Sequence, residues 1–253
     1  MDPADTFYEM IFKRKSFHLF RGVGEDHLTP EELHDIDAAW RRFAPLYPET
    51  RTALRIVPAA RVNFKRDAEY CILIYSEKKE NYLMNVGYLG EQLDLWLTAH
   101  DIGSLWYGIG KPDETTCDGL DFVIMFAVHK VNDPAKFRQD LFRAKRRPTE
   151  EVWSGDDPGV ADIARFAPSA CNSQPWYVES RDGTLTVRRH TSRRGIMPPH
   201  AAIYFNRIDI GIYLCFLELC LEKNGTVFER TLLPDDGAEK AEVAVYRLRG
   251  ESK

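Results

Sequence analysis

Hydroxyl and amide side chains cluster in the segment 167–176, Ala-Pro-Ser-Ala-Cys-Asn-Ser-Gln-Pro-Trp, which is the part of this sequence best suited to hold a small molecule. A helix is predicted to end at the first proline, and a polar loop then leads into a strand. The loop offers the hydroxyls of Ser169 and Ser173 and the amides of Asn172 and Gln174, but no strong acid, base or nucleophile. Because such groups orient a bound molecule without reacting themselves, the segment indicates a cofactor that supplies the chemistry.

The five cysteines and seven histidines indicate neither a disulfide framework nor a metal site. The cysteine count is odd and includes no Cys-x-x-Cys pair, so reduced thiols are expected. No His-Glu-x-x-His motif and no Cys/His spacing would close a tetrahedral site, so no metal is expected. Cys171 has no histidine near it in sequence, and a small loop residue is favoured there over a nucleophile.

The composition is that of a globular protein: 253 residues, 44% of them apolar, can bury a sizeable core in one large domain or two joined halves. The net charge of −5 argues against a bulk attraction to nucleic acid or an anionic membrane. The most apolar run, 208–221, carries Asp209 and Glu218, and the start of the chain has no apolar stretch. Neither export nor membrane spanning is indicated, so a cytoplasmic location is expected.

Capping motifs predict the first two helices. Thr6 and Glu9 have the spacing of a capping box, which predicts a helix from about residue 7 into the basic stretch 13–15. The run Thr29-Pro30-Glu31-Glu32 combines an N-cap, a proline at the first helical position and a glutamate at the third. It predicts a second helix that stops before Pro45.

Apolar periodicity predicts the elements that follow. Residues 70–75 and 122–128 are short apolar runs typical of buried strands, and 85–101 has helical periodicity with Gly103 as its expected C-terminal cap. The later elements predicted are a helix from Asp157 to Ala167, a hairpin across Asp182-Gly183 that pairs Trp176 and Val178 with Leu185 and Val187, a helix over 209–223 ended by Asn224-Gly225, and strands near 226–233 and 242–248.

Two similar helix starts favour a degenerate internal repeat. Asn85-Val86-Gly87 and Asp209-Ile210-Gly211 each open a long helix that a glycine closes. Amphipathic helices with glycine caps are common, which is the alternative explanation.

The segment 167–176 resembles the Ala-Pro-Ser-x-x-Asn-x-Gln-Pro-Trp signature of the nitroreductase-like FMN flavoproteins. The length of the match disfavours an ordinary connection between a helix and a strand. In that family one subunit supplies most contacts to each FMN and its partner supplies the Pro-Ser-x-x-Asn loop. The resemblance implies an α+β nitroreductase-like fold of mixed or antiparallel sheets with flanking helices.

The two kinds of contact fall in different halves of this chain. The first half carries the basic motif Arg14-Lys15-Ser16 but no Pro-Ser-x-x-Asn loop, whereas the second half carries the loop but no second basic motif. The resemblance therefore implies a fused pseudo-dimer, with 1–150 and 151–253 as the nitroreductase-like halves of one compact unit, a single FMN and a monomeric chain.

By the same resemblance, FMN contacts are expected from Arg14, Lys15, Ser16, His18, Asn63, Arg66, Gly108, Ile109, Gly110, Lys145, Arg147, Pro168, Ser169, Ala170 and Asn172. The cations at 14–15 and 145–147 and the Ser16 hydroxyl suit a phosphate dianion. Arg66, with Asn63, suits the ring edge on which reduction places negative charge, and the loop suits the ring or the ribityl chain. The alternatives are solvated surface charge for each basic cluster and a turn residue for Asn63.

His18 departs from the family pattern, which has arginine or lysine there. Since imidazole titrates near neutrality, a charge that is constant in relatives would depend on pH in this protein. We expect flavin affinity or reduction rate to fall as pH rises above about 6.5. A partly exposed histidine without a role is the alternative.

The resemblance implies hydride transfer from NAD(P)H through FMN to a nitroaromatic, a quinone or a similar small electrophile. No side chain is assigned as a catalytic acid, since flavin does the chemistry. The glycine pairs at 22–24 and 108–110 lack the third glycine of a dinucleotide fingerprint, so no separate nicotinamide domain is expected. A flavin store or sensor without turnover is the alternative from another class, and a chain without flavin is a third.

Overall fold

The computed structural model describes residues 3–63 and 66–249, and the chain divides into two compact units. The first unit consists of Glu9–Tyr82 and Leu89–Leu141. The second unit consists of the described residues of Met1–Tyr8, Leu83–Tyr88 and Phe142–Lys253. Each unit is built on one five-stranded sheet, which confirms the predicted α+β class. A boundary between halves at residue 150 stays a prediction.

An antiparallel sheet forms the centre of the first unit, and its order is β1-β2-β5-β3, with β4 paired to β5. Its strands are β1 (Thr52–Pro58), β2 (Tyr70–Ser76), β3 (Ile102–Tyr107), β4 (Thr116–Cys117) and β5 (Leu120–Lys130). Strands β2 and β5 are the two predicted from their apolar runs. One face of the sheet packs Leu73, Tyr75, Met125 and Ala127 against Phe17, so the segment after the first helix is part of this core.

Among the described residues, three α-helices begin in the first half of the sequence: α1 (Pro3–Lys13), α2 (Pro30–Trp40) and α3 (Tyr82–Ala99). The capping box of α2 is confirmed, because Glu32 N–H donates to Thr29 Oγ1 at 3.2 Å and Thr29 N–H donates to Glu32 Oε2 at 2.9 Å. The capping box predicted at Thr6 is wrong. Helix α1 starts earlier, at Pro3, where a proline loses no hydrogen bond because first-turn N–H groups have no intrahelical acceptor.

The sequence predicted that Gly103 caps the helix, and this prediction is wrong. Gly103 is part of β3. The turn after α3 uses Asp101 instead, which adopts a left-handed φ of 55°. A Cβ on Gly103 would lie 2.9 Å from Val131 and 3.1 Å from Phe17, so close packing explains the glycine.

The sheet of the second unit has the order β6-β7-β8-β10-β9, with β6 parallel to β7 and the other pairs antiparallel. Its elements are α4 (Thr149–Val152), β6 (Trp153–Gly155), α5 (Ala161–Ala164), β7 (Trp176–Arg181), β8 (Thr184–His190), α6 (Ala202–Lys223), β9 (Val227–Leu232) and β10 (Lys240–Arg249). The predicted hairpin is confirmed, with Val178 opposite Val187 and a turn at Asp182 and Gly183, which have φ of 49° and 71°. The other two predicted residues have different partners: Trp176 lies opposite Arg189, and Leu185 lies opposite Ser180.

Two helix boundaries in the second unit differ from the prediction. The helix expected over 157–167 is limited to α5, because Asp157 Oδ1 accepts the N–H groups of three successive residues, 159–161, and so forms a turn before the helix. Helix α6 begins seven residues before the predicted start at Asp209, at Ala202. Its predicted end is confirmed, with Gly225 at a left-handed φ of 70°.

No helix in the described part of the chain has both the length and the apolar character that a bilayer crossing requires.

Backbones approach closely where α6 crosses the segment 83–88 in the second unit. A Cβ on Gly211 would lie 1.9 Å from Met84 O, and a Cβ on Gly87 would lie 2.0 Å from Ile208 O. These are far below any real carbon contact, so the two glycines that open the proposed repeat are required for this packing.

We expect Gly211→Ala to destabilise the protein by roughly 1 to 3 kcal/mol, because the methyl group forces the two backbones apart. Urea unfolding followed by circular dichroism measures the change. In an unobstructed helix interior the same substitution stabilises by roughly 0.5 to 1 kcal/mol. Equal or higher stability of the variant would therefore contradict the close packing.

Candidate functional site

In the first unit, a buried ion pair holds the basic segment that follows α1. Arg14 Nε donates to Asp94 Oδ2 on α3 at 2.7 Å, and Arg14 Nη2 donates to Ser16 Oγ at 3.1 Å. The two charged side chains are 4% and 0% exposed. Burial lowers the pKa of Arg14, but the charges of Asp94 and Glu91 outweigh burial and keep that pKa above its ordinary value. Arg14 is therefore a permanent buried cation that orients Ser16.

Asp94 also binds strand β3. Ser104 Oγ donates to Asp94 Oδ1, and Trp106 Nε1 donates to Asp94 Oδ2 at 3.1 Å. The backbone continues this link, because Phe17 N–H donates to Ser104 O at 2.9 Å. One carboxylate on α3 thus fixes residues 14–17 against β3.

Positive charge is concentrated around residues 14–18. Lys15 is exposed and its Nζ donates to Lys136 O at 2.8 Å, while Arg138 Nε donates to Arg14 O at 2.9 Å. The pKa of His18 is lowered by partial burial and then by the charges of Arg66 and Arg14. The pKa of Arg138 is lowered by burial and by Arg14. Burial is the larger cause of both shifts, and the contribution of Arg14 to each places the two groups in one region of positive potential, which favours an anion.

Arg66 connects His18 with the turn after β3. Arg66 Nη1 donates to His18 O at 3.3 Å, and its guanidinium lies 5.9 Å from the centre of the Tyr107 ring. Tyr107 Oη donates to Asn63 O at 3.4 Å. The predicted turn 108–110 follows, with Gly108 and Ile109 exposed and Gly110 buried against Met125. The structure therefore brings the predicted residues His18, Asn63 and Arg66 together beside this turn.

In the second unit, the loop 168–174 is held in a strained conformation by a buried carboxyl group. Cys171, Asn172 and Gln174 have left-handed φ angles of 50°, 56° and 48°. Asp209 of α6, which is 2% exposed, accepts hydrogen bonds from Ala170 N–H at 2.8 Å and from Ser173 Oγ at 3.1 Å. Burial raises the pKa of Asp209 to about 7, although these hydrogen bonds oppose the rise. Left-handed non-glycine residues cost on the order of 1 kcal/mol or more each, so the loop needs such support.

Arg146 attaches the loop to the basic segment 145–147. Its guanidinium donates to Phe166 O and Ala167 O, both at 3.2 Å, and to Asn172 Oδ1 at 2.9 Å. In return, Asn172 Nδ2 donates to Lys145 O at 3.0 Å. The motif resemblance predicted contacts from the flanking residues Lys145 and Arg147 but not from Arg146. Nothing in the run Lys145-Arg146-Arg147 distinguishes the middle residue.

The remaining predicted residues of the second unit belong to the same network. Ser169 Oγ accepts the Gln174 N–H at 3.0 Å, and Arg147 N–H donates to Gln174 Oε1 at 2.8 Å. Pro168 is buried and Lys145 is exposed. The structure therefore brings together the predicted residues Lys145, Arg147, Pro168, Ser169, Ala170 and Asn172.

Similarity to known proteins agrees with the resemblance of the motifs. The family model described as "Putative TM nitroreductase" matches residues 6–221. A solved "putative nitroreductase" from Thermotoga maritima is 21% identical, with 96% of this chain and 93% of that chain covered and a TM-score of 0.58. No curated protein matches this sequence.

Two further solved structures are shorter matches. A nitroreductase family protein from Clostridium difficile is 15% identical, with 59% of this chain and 98% of that chain covered and a TM-score of 0.45. A "putative nitroreductase" in complex with FMN from Desulfovibrio desulfuricans is 13% identical, with 62% and 99% covered and a TM-score of 0.41.

The family match includes both the basic segment 14–18 and the loop 168–174, and the Thermotoga maritima structure shows the same fold over almost the whole chain. This protein belongs to the nitroreductase family.

Proposed function

We propose that this protein is an FMN-dependent oxidoreductase that transfers a hydride from NAD(P)H to a nitroaromatic, a quinone or a similar small electrophile. Family membership supports the reaction class. The observation that carries the cofactor assignment is the cluster of cationic side chains around residues 14–18: Lys15 is exposed, Arg14 is a buried cation, and Arg66 Nη1 donates to His18 O at 3.3 Å. That surface suits the phosphate of FMN, which is close to a dianion.

The donors of the first unit fit such a ligand. Lys15 is exposed, and its ammonium group has donors beyond the one that Lys136 O accepts, whereas Arg14 is paired with Asp94 and contributes by holding Ser16. Arg66 and Asn63 are the donors proposed for the pyrimidine edge of the ring, where a cation stabilises negative charge. When bound, FMN supplies the hydride chemistry, and the protein binds and orients it.

The loop of the second unit retains hydrogen-bond donors after its internal bonds are counted. Ser169 uses its hydroxyl oxygen as an acceptor for Gln174 N–H, so its hydroxyl proton is available to a ligand. Asn172 uses one amide proton for Lys145 O, which leaves the second. We propose that these two groups contact the ring or the ribityl chain, and that Arg146 and Asp209 position them without touching the ligand.

We also propose one FMN per chain and a monomeric protein, because the basic motif at 14–16 and the loop at 168–172 each occur once in the sequence. The chain would then be a fused pseudo-dimer in which the second, symmetric site has been lost.

The first test is the visible spectrum of the protein after FMN addition and dialysis, followed by anaerobic NADH or NADPH. We expect one FMN per chain, bleaching by a nicotinamide, and recovery of the colour on addition of a nitroaromatic or a quinone. Retained flavin that neither nicotinamide bleaches would favour a flavin-binding protein without turnover. Release of all FMN on dialysis would contradict the site.

Substituting Arg66 tests its role at the ring edge. We expect Arg66→Met to weaken FMN binding about 10- to 100-fold, since a charge-assisted hydrogen bond contributes about 1.5 to 3 kcal/mol. Quenching of flavin fluorescence measures the dissociation constant. The matched control is Arg61→Met, which removes an exposed arginine 3.6 Å from Glu114 in the same unit. Equal losses for the two variants would mean that Arg66 acts only through general charge.

A pH titration tests the departure at His18. Burial, Arg66 and Arg14 lower the pKa of His18, so its positive charge is present at low pH and is lost as pH rises through a value below about 6.5. The His18→Lys variant keeps its charge over this pH range. We expect the FMN affinity of the unsubstituted protein, divided by that of the variant, to fall as pH rises and His18 loses its charge. The ratio of the two dissociation constants cancels the titration of the phosphate itself. A ratio that does not change between pH 5 and 8 would remove His18 from the site.

A further inference from the structure

Three side chains able to bind a metal ion converge in the first unit, and none of them belongs to the proposed flavin site. They are His27 in the loop before α2, Glu69 immediately before β2, and His129 on β5. One ligand atom from each lies within 4.8 Å of the others. Local spacing in the sequence predicted no metal, because these three residues lie far apart along the chain.

Glu69 is the fixed centre of the cluster. Its carboxylate is 7% exposed, and each oxygen accepts a backbone hydrogen bond: Oε1 from Lys130 N–H at 2.8 Å and Oε2 from Leu28 N–H at 2.7 Å. His129 Nδ1 lies 3.0 Å from Oε1, and His27 Nδ1 lies 3.3 Å from Oε2. Backbone donors of this kind hold the ligating carboxylates of metal sites in position.

The separations suit coordination of one ion. Ligand atoms at 2.0 to 2.1 Å from a tetrahedral ion are about 3.4 Å from each other. The separation of His27 Nδ1 from Glu69 Oε2, 3.3 Å, needs little adjustment to reach that value. His129 Nδ1 also lies 2.7 Å from Lys130 O; since a carbonyl oxygen can only accept, Nδ1 carries the ring proton, which fixes the ring and leaves Nε2 as the ligand atom.

We propose that His27, Glu69 and His129 form a binding site for a divalent transition metal such as zinc. Two imidazoles and one carboxylate are borderline donors that suit zinc better than magnesium or calcium, which prefer oxygen. The neighbouring cation, Lys130 Nζ, lies 2.7 Å from Glu32 Oε1, so its charge is balanced outside the cluster. The ion would tie the loop that carries His27 to strands β2 and β5 and leave one coordination position open.

The test is a zinc titration of the full-length chain, purified without a histidine tag and stripped with a chelator. We expect one zinc per chain by isothermal titration calorimetry. Zinc at 100 times its dissociation constant should raise the melting temperature by roughly 5 to 10 °C. These readouts require neither flavin nor NAD(P)H, so the result is independent of the proposed oxidoreductase function.

Matched histidine variants separate this site from adventitious binding. His27→Asn should abolish both the stoichiometric binding and the thermal shift without changing the melting temperature of the metal-free protein, because the side chain is 76% exposed. His34→Asn, which removes an exposed histidine on α2, should keep both. Glu69→Gln, which keeps the shape of the side chain, should weaken binding at least tenfold. Absence of saturable binding, or equal binding by His27→Asn, would overturn the proposal.

Discussion

The buried ion pair between Arg14 and Asp94 is the interaction on which the first unit's candidate site depends. An unpaired charge at either position would lose its hydration without compensation, and removing one partner of such a pair typically destabilises a protein by about 3 to 5 kcal/mol. Asp94 accepts from Arg14, Ser104 and Trp106 at once, which joins the segment after α1 to α3 and β3. The pair does not need to add net stability to be useful, because its directional bonds select one orientation of residues 14–18.

In the second unit, the buried carboxyl group of Asp209 holds a segment of the candidate site in place, as Asp94 does in the first unit. A carboxyl group from a long helix again lies beneath a segment of the candidate site, and here it supports a loop with three left-handed residues. Asp209 and Asn85 occupy equivalent positions in Asp209-Ile210-Gly211 and Asn85-Val86-Gly87, the two similar runs that suggest an internal repeat, and both side chains are buried. If the two runs descend from a repeat, this position stayed buried and polar while its residue type changed. It is an amide at Asn85 and a carboxylate at Asp209. The loop that depends on this carboxylate occurs only in the half that has it.

Local signals account for what the sequence predicted correctly. The Thr29 capping box, the Asp182-Gly183 hairpin and the glycine end of α6 each depend on residues only a few positions apart. Strand β3 follows α3 too closely for its apolar residues to be distinguished from the helical pattern, so Gly103 was misassigned. Hydrogen bonds between residues distant in sequence were not predictable from local signals. Arg14 and Asp94 are 80 residues apart in the sequence, and Arg146 and Asn172 are 26 apart. Motif resemblance identified the segments of the candidate site, but only the structure shows what holds them.

The charges that build the candidate site differ in how they respond to pH. Arg14 keeps its charge at any physiological pH, since its pKa lies above an already high ordinary value. The frame of residues 14–17 is therefore constant. The pKa values of His18 and Asp209 are shifted in opposite directions: burial, with the charges of Arg66 and Arg14, favours the neutral form of the histidine, and burial favours the neutral form of the carboxyl. A rise in pH through 7 thus ionises the support of the loop after His18 has lost its charge. Apart from the titration of the ligand's own phosphate, these two groups add a pH dependence to an otherwise fixed frame.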